Sequence, residues 1–171
     1  ALTPEGVSEF VRAGHQVVVE KSAGLGSAIT DEQFIAAGAS IEADIEKIWK
    51  SADLILKVKE PIEAEYSRLR GGQILFTYLH LAASKACTDA LIKSGTTAIA
   101  YETVELNGAL PLLAPMSEVA GRLAAQVGAS SLQKPNGGRG VLLGAGAHRH
   151  LALLHHVVQR LVGHVGIHGR G

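Results

Sequence analysis

Apolar runs of strand length recur along this chain with a helical segment between most of them, and that alternation is what most limits the fold. Residues 16–20, 54–58, 74–78 and 96–100 read as strands. Strands joined through helices pair in parallel, because a parallel neighbour needs a long crossover. The expectation is an α/β fold, a Rossmann-like or flavodoxin-like parallel sheet with helices on both faces.

The helices carry their own start and stop signals. Thr3 and Pro4 open a helix whose apolar face is Val7, Phe10 and Val11, and Gly14 ends it. Thr30-Asp-Glu-Gln33 is a capping box. Further helices are expected over 41–51, carrying Ile45, Ile48 and Trp49, and over 61–70, with Pro61 in the first turn and Gly71-Gly72 as breaker. Residues 84–93, stopped by Gly95, and 116–132 complete the set. The chain starts in a helix cap, so the sheet is expected to lack its first strand. A doubly wound sheet holds that strand near its centre, and its loss would leave a gap lined by unpaired backbone, with marginal stability.

With 171 residues, 47% hydrophobic and 19% charged, the chain can bury one core. It contains no apolar run of membrane-spanning length and no signal-peptide pattern, so a soluble cytoplasmic protein is expected, with neither a membrane nor a nucleic-acid partner. The single cysteine, Cys87, cannot form an internal disulfide and reads as a small buried hydrophobe. Net charge is zero, yet all 16 acidic residues lie at or before Glu118 against 10 of the 16 basic ones. Six of the eight histidines fall in the last 24 residues. This shift divides the chain into a domain over 1–144 and an atypical tail over 145–171.

Two strand ends deliver polar groups. Lys57 and Lys59 alternate at the end of one, and His80 follows the apolar run of the next. Ligands of open α/β sheets bind at the carboxyl ends of strands, where an ammonium and an imidazole could grip and protonate a small anion. A solvated strand end and a hydrogen-bonded junction histidine are the plainer alternatives, and spacing alone leaves both open. Ser117 and Glu118 stand at a helix opening, which favours an anion such as a cofactor phosphate, although Ser117 also reads as an ordinary cap. Neither glycine cluster is a dinucleotide fingerprint: after Gly24-Leu-Gly26 the third glycine is replaced by Ile29, and after Gly144-Ala-Gly146 by Arg149. The tail histidines include His164 and His168, four apart, but Gly163 and Gly166 weaken any helix that would align them, and no metal site is expected.

Taken together, Gly26-Ser-Ala-Ile-Thr-Asp31, Lys57-Val-Lys-Glu-Pro61, Thr77-Tyr-Leu-His-Leu-Ala82, Ala100-Tyr-Glu-Thr103 and Ala114-Pro-Met-Ser-Glu-Val-Ala-Gly-Arg122 resemble bacterial alanine dehydrogenase, most of all its actinobacterial form. The resemblance runs from residue 1 to about 144. It implies the substrate half of a two-domain, homo-oligomeric (hexameric) subunit that converts L-alanine, NAD and water into pyruvate, ammonium and NADH. It further implies that Lys59 binds the oxo acid, His80 is the catalytic acid/base, Met116 walls the pocket and Ser117 touches the cofactor. The family's first strand and an arginine just ahead of Ala1 are missing, and the tail stands where a nicotinamide-binding domain would follow. The chain is therefore expected to be inactive alone. The alternatives are a non-catalytic assembly or binding module, and a fragment of the transhydrogenase alpha subunit, which shares this domain.

Overall fold

The computed structural model describes residues 1–143, so the expectations for the tail over 145–171, its histidines and Gly144-Ala-Gly146 lie outside the described residues. The chain divides into two compact units, Ala1–Leu110 and a second that begins at Pro111.

The first unit runs α1 (Pro4–Arg12), β1 (Val18–Glu20), α2 (Asp31–Ala36), β2 (Ser40–Glu42), α3 (Ile45–Ser51), β3 (Leu54–Leu56), β4 (Ile74–Thr77), α4 (Lys85–Ser94) and β5 (Thr97–Ala100). Its helices begin where short polar side chains can satisfy free N–H groups. The Thr3 hydroxyl accepts from the Gly6 N–H at 3.4 Å, and the Ser84 hydroxyl accepts from Cys87 N–H at 3.2 Å. At α2 the box closes both ways: Gln33 N–H donates to Thr30 Oγ1, and Thr30 N–H donates to Gln33 Oε1 at 2.8 Å.

All strand pairs are parallel, but they form two sheets rather than one. β1 pairs with β2, and β3-β4-β5 form the second sheet in sequential order. Among the described residues no strand bridges β1 and β3.

Each sheet has its own core. Val19 and Ile41 pack with Val7, Phe34 and Ala39 of α1, α2 and the turn after it. In the larger core, Ile55 and Leu75 meet Trp49 of α3, Cys87 and Leu91 of α4, and Leu69 and Leu79. Gln73, fully buried, ties the two layers, its amide donating to the carbonyls of Trp49 and Ala52 at 3.0 and 2.9 Å. The alternate strand residues Leu54, Ile74 and Ile99 remain 36%, 38% and 41% exposed, so the apolar strands are covered on one face and half-open on the other.

Two expected helices are corrected. Residues 41–51 split, because Ser40 N–H bonds to the Val17 carbonyl at 3.0 Å and draws residues 40–42 into a strand, while Asp44 caps a shorter α3 through Glu46 N–H. Residues 61–70 form only a 3-10 turn over Glu63–Arg68. There the Glu65 carboxylate accepts from Ile62 N–H and meets Lys57, a tertiary attraction that helix periodicity does not register.

The second unit contains α5 (Ala114–Ser131), with Pro115 in its first turn. After it the chain folds back: Gly138 N–H donates to the Gln133 carbonyl, and a Cβ at Gly138 would stand 2.3 Å from Leu132 backbone. Only glycine fits that approach.

Truncating Leu75 to alanine is expected to cost about 2 to 5 kcal/mol in denaturant unfolding, since the side chain is fully buried between the layers. Burial pushes the Cys87 thiol up, with the Glu60 carboxylate adding to this and a Tyr66 hydrogen bond opposing it; burial, then Tyr78, does the same for the Tyr101 hydroxyl. Above the ordinary thiol range the unfolded chain releases protons that the folded chain keeps, so stability is expected to fall as pH rises. Cys87→Ala should lessen that alkaline loss in melts recorded across the range.

Candidate functional site

Sheet register brings the first two sequence candidates to one end of the molecule. Leu56 pairs with Phe76, and the ladder continues beyond β3 as Tyr78 N–H donates to the Val58 carbonyl at 3.3 Å. The buried Thr77 hydroxyl then donates to the Lys59 carbonyl at 2.9 Å. Lys59 and His80 therefore leave the carboxyl ends of adjacent parallel strands, and both are exposed. Thr77 fixes the first of them through its main chain.

The two lysines that alternate in sequence have different surroundings. The Lys57 ammonium pairs with the buried Glu65 carboxylate and lies 5.8 Å from the Trp49 ring centroid. It is a structural cation. Among the described residues no carboxylate pairs with Lys59, whose charge faces solvent and is available to an anion.

His80 is held in an unusual way. Its backbone is left-handed, φ 46° and ψ 39°, and it turns the chain from β4 into a 3-10 turn over Leu81–Ala83. Outside glycine this region is sparsely used and costs on the order of 1 to 2 kcal/mol, so the surroundings must impose it. Two contacts are at hand. The imidazole stacks on Tyr78, centroids 6.0 Å apart and planes 21° apart, and Tyr101 meets Tyr78 edge-on at 5.1 Å. The Glu102 carboxylate, just past β5, accepts from the N–H groups of both Leu79 and His80, the latter at 2.7 Å. Sequence reasoning assigned no role to Glu102, Thr77 or Glu65. The register of three strand ends would have exposed Glu102, but that register is a tertiary fact.

Met116 and Ser117 belong to the second unit. Met116 is 48% exposed in the first turn of α5. Ser117 is not the cap: Leu113 holds that place without a side-chain bond, and the exposed Ser117 hydroxyl donates to the Leu113 carbonyl at 3.4 Å. Its sequence reading as a cap is corrected, since the helix starts three residues earlier.

The described residues offer no dinucleotide cradle. A Cβ at Gly24 would meet the Ile29 carbonyl at 2.6 Å and the Phe34 ring at 2.7 Å, so this glycine serves close packing against α2 rather than approach to a phosphate. No cluster of three metal-ligating side chains occurs among the described residues. No helix there is long and apolar enough to cross a membrane.

Residues 1–120 match the model of the family described as alanine dehydrogenase/PNT, N-terminal domain. The chain belongs to that family. Alanine dehydrogenase of Mycobacterium tuberculosis is 68% identical over 145 residues, which is 84% of this chain and 39% of the relative. A solved L-alanine dehydrogenase superposes with a TM-score of 0.77 at 50% identity, over 84% of this chain and 40% of that one. A transhydrogenase from Sinorhizobium meliloti follows at 0.55 and 34%, over 59% of this chain and 30% of that one. The chain thus spans about two fifths of the length of the curated relatives it matches. Its architecture of small parallel sheets and helices is that of an alanine dehydrogenase N-terminal domain.

Removing the Glu65 carboxylate would strand the Lys57 ammonium against Trp49. Glu65→Ala is expected to lower unfolding free energy by about 3 kcal/mol, and Lys57→Met, which leaves the more deeply buried carboxylate without its cation, should cost at least as much. Parallel urea titrations of the two variants check the order.

Proposed function

We propose that this chain is the substrate-binding half of an NAD-dependent alanine dehydrogenase, the enzyme that interconverts L-alanine and pyruvate with NAD, water and ammonium. The carrying observation is the pairing of an unneutralised ammonium, Lys59, with an imidazole, His80, at the carboxyl ends of adjacent parallel strands. Lys59 holds the anionic oxo acid by a charge-assisted contact. His80 moves the proton as ammonia adds to the carbonyl and water leaves. By the family resemblance, Met116 meets the substrate and Ser117 the cofactor in the intact subunit. The nicotinamide cofactor would supply the hydride as NADH or accept it as NAD, while the chain's own work is to bind and orient the oxo acid and to handle its proton.

We assign residues 1–144 to the substrate domain and residues 145–171 to a separate, atypical segment. The whole protein is proposed to act in the cytoplasm as a homo-oligomer, a hexamer. A transhydrogenase origin ranks second, since that likeness is lower in both identity and superposition.

Pyruvate binding by the purified chain tests the reading. Equilibrium dialysis with labelled pyruvate should show binding that weakens at least about tenfold in Lys59→Ala, the loss of one charge-assisted contact, and also weakens in His80→Ala. Identical binding by all three proteins would refute it. Pyruvate and ammonium should cause no NADH oxidation by the chain alone, because hydride transfer needs the cofactor held against the substrate. Turnover that vanishes in His80→Ala would overturn that second expectation.

A further inference from the structure

We propose that Glu102 is the positioning residue for His80, acting through the main chain rather than on the imidazole. The inference rests on the proposed role of His80 for its functional meaning, but its geometry stands apart from that role.

Between the end of β4 and the turn at Leu81–Ala83 the N–H groups of Leu79 and His80 have no strand or helix partner to take. Both point at one carboxylate. Glu102 Oε1 accepts from Leu79 at 3.1 Å and from His80 at 2.7 Å, and Oε2 accepts a second time from Leu79 at 3.2 Å. Successive N–H groups aimed at one point make an anion-binding concavity, and a left-handed residue is what produces it. The carboxylate that fills this one is internal, so it anchors the peptide plane that enters His80, whose own backbone lies at φ 46°. With that peptide plane held, the imidazole lies on Tyr78, which also meets the edge of Tyr101, the residue beside Glu102. Leu79 is 1% exposed, so its N–H has no ready solvent substitute. Because the concavity is already occupied, the anionic substrate is left to Lys59. Glu102 therefore ties β5 to β4 at the one place where the direction of His80 is set.

Proton NMR of the full 171-residue chain reads this directly. The wild-type His80 ring protons should be displaced by the Tyr78 ring, and the Leu79 and His80 amides protected from exchange. In Glu102→Ala the displacement should fall by more than half and exchange at those two amides should rise at least about tenfold, as expected for losing a charge-assisted hydrogen bond. The Trp49 indole signal should stay unchanged. Glu102→Gln keeps an oxygen that reaches both donors and should be intermediate. Unchanged ring shifts and amide protection in Glu102→Ala overturn the proposal. If that variant does not fold, Glu102→Gln decides: faster exchange confined to Leu79 and His80 supports positioning, and wild-type rates overturn it. Adding pyruvate separates the two readings. In wild type it should shift the His80 ring signals, less in Glu102→Ala; no response in wild type, with the amide effects intact, would sink the substrate-half reading and leave the clamp standing.

Discussion

Parallel pairing of β3, β4 and β5 is the constraint from which the rest of the larger sheet follows. In register, Leu56, Phe76 and Ile99 stand side by side, and Thr77 stands beside Ala100. The strands point the same way, so the residues that follow each one gather at a single end: Lys59 after β3, His80 after β4 and Glu102 after β5. An antiparallel arrangement of the same segments would scatter them to both ends. The carboxyl end of a parallel sheet is a site because its chain ends converge there, with backbone donors and acceptors that no ladder consumes.

The buried polar groups around the sheet serve position more than net stability. Thr77, Gln73 and Glu65 are buried, and each takes main-chain partners: the Lys59 carbonyl, the carbonyls of Trp49 and Ala52, and the Ile62 N–H. A hydrogen bond of this kind contributes on the order of 1 kcal/mol net, yet leaving one partner unmade in the interior costs more. Such bonds therefore specify one arrangement. Glu102 repeats the device at the surface, where its carboxylate takes the two donors that flank the bend at His80.

Local signals in the sequence were reliable where they concerned short-range geometry. The caps at Thr3 and Thr30, and the stops at Gly14 and Gly95, act over three or four residues and are seen as read. Errors arose where a long-range partner intervened. Ile41 has helical spacing to Ile45 and Ile48, but the Val17 carbonyl draws its neighbour Ser40 into a ladder. Pro61 opens no α-helix: the segment stays a 3-10 turn over Glu63–Arg68, whose Glu65 pairs with Lys57 from the strand end. Lys57 and Lys59 look alike on a strand, and only the glutamate across the turn makes one structural and leaves the other open.

The order of apolar runs and helix signals by itself determined a parallel α/β chain and placed Lys59 and His80 at strand ends. Those properties depend on periodicity and on residues close in sequence. Tertiary structure alone decided where the sheet divides, which lysine is neutralised, and that a carboxylate 22 residues away accepts from the His80 N–H. Each of these is set by which strand lies beside which, and adjacency in a sheet is a relation between segments that no single segment carries.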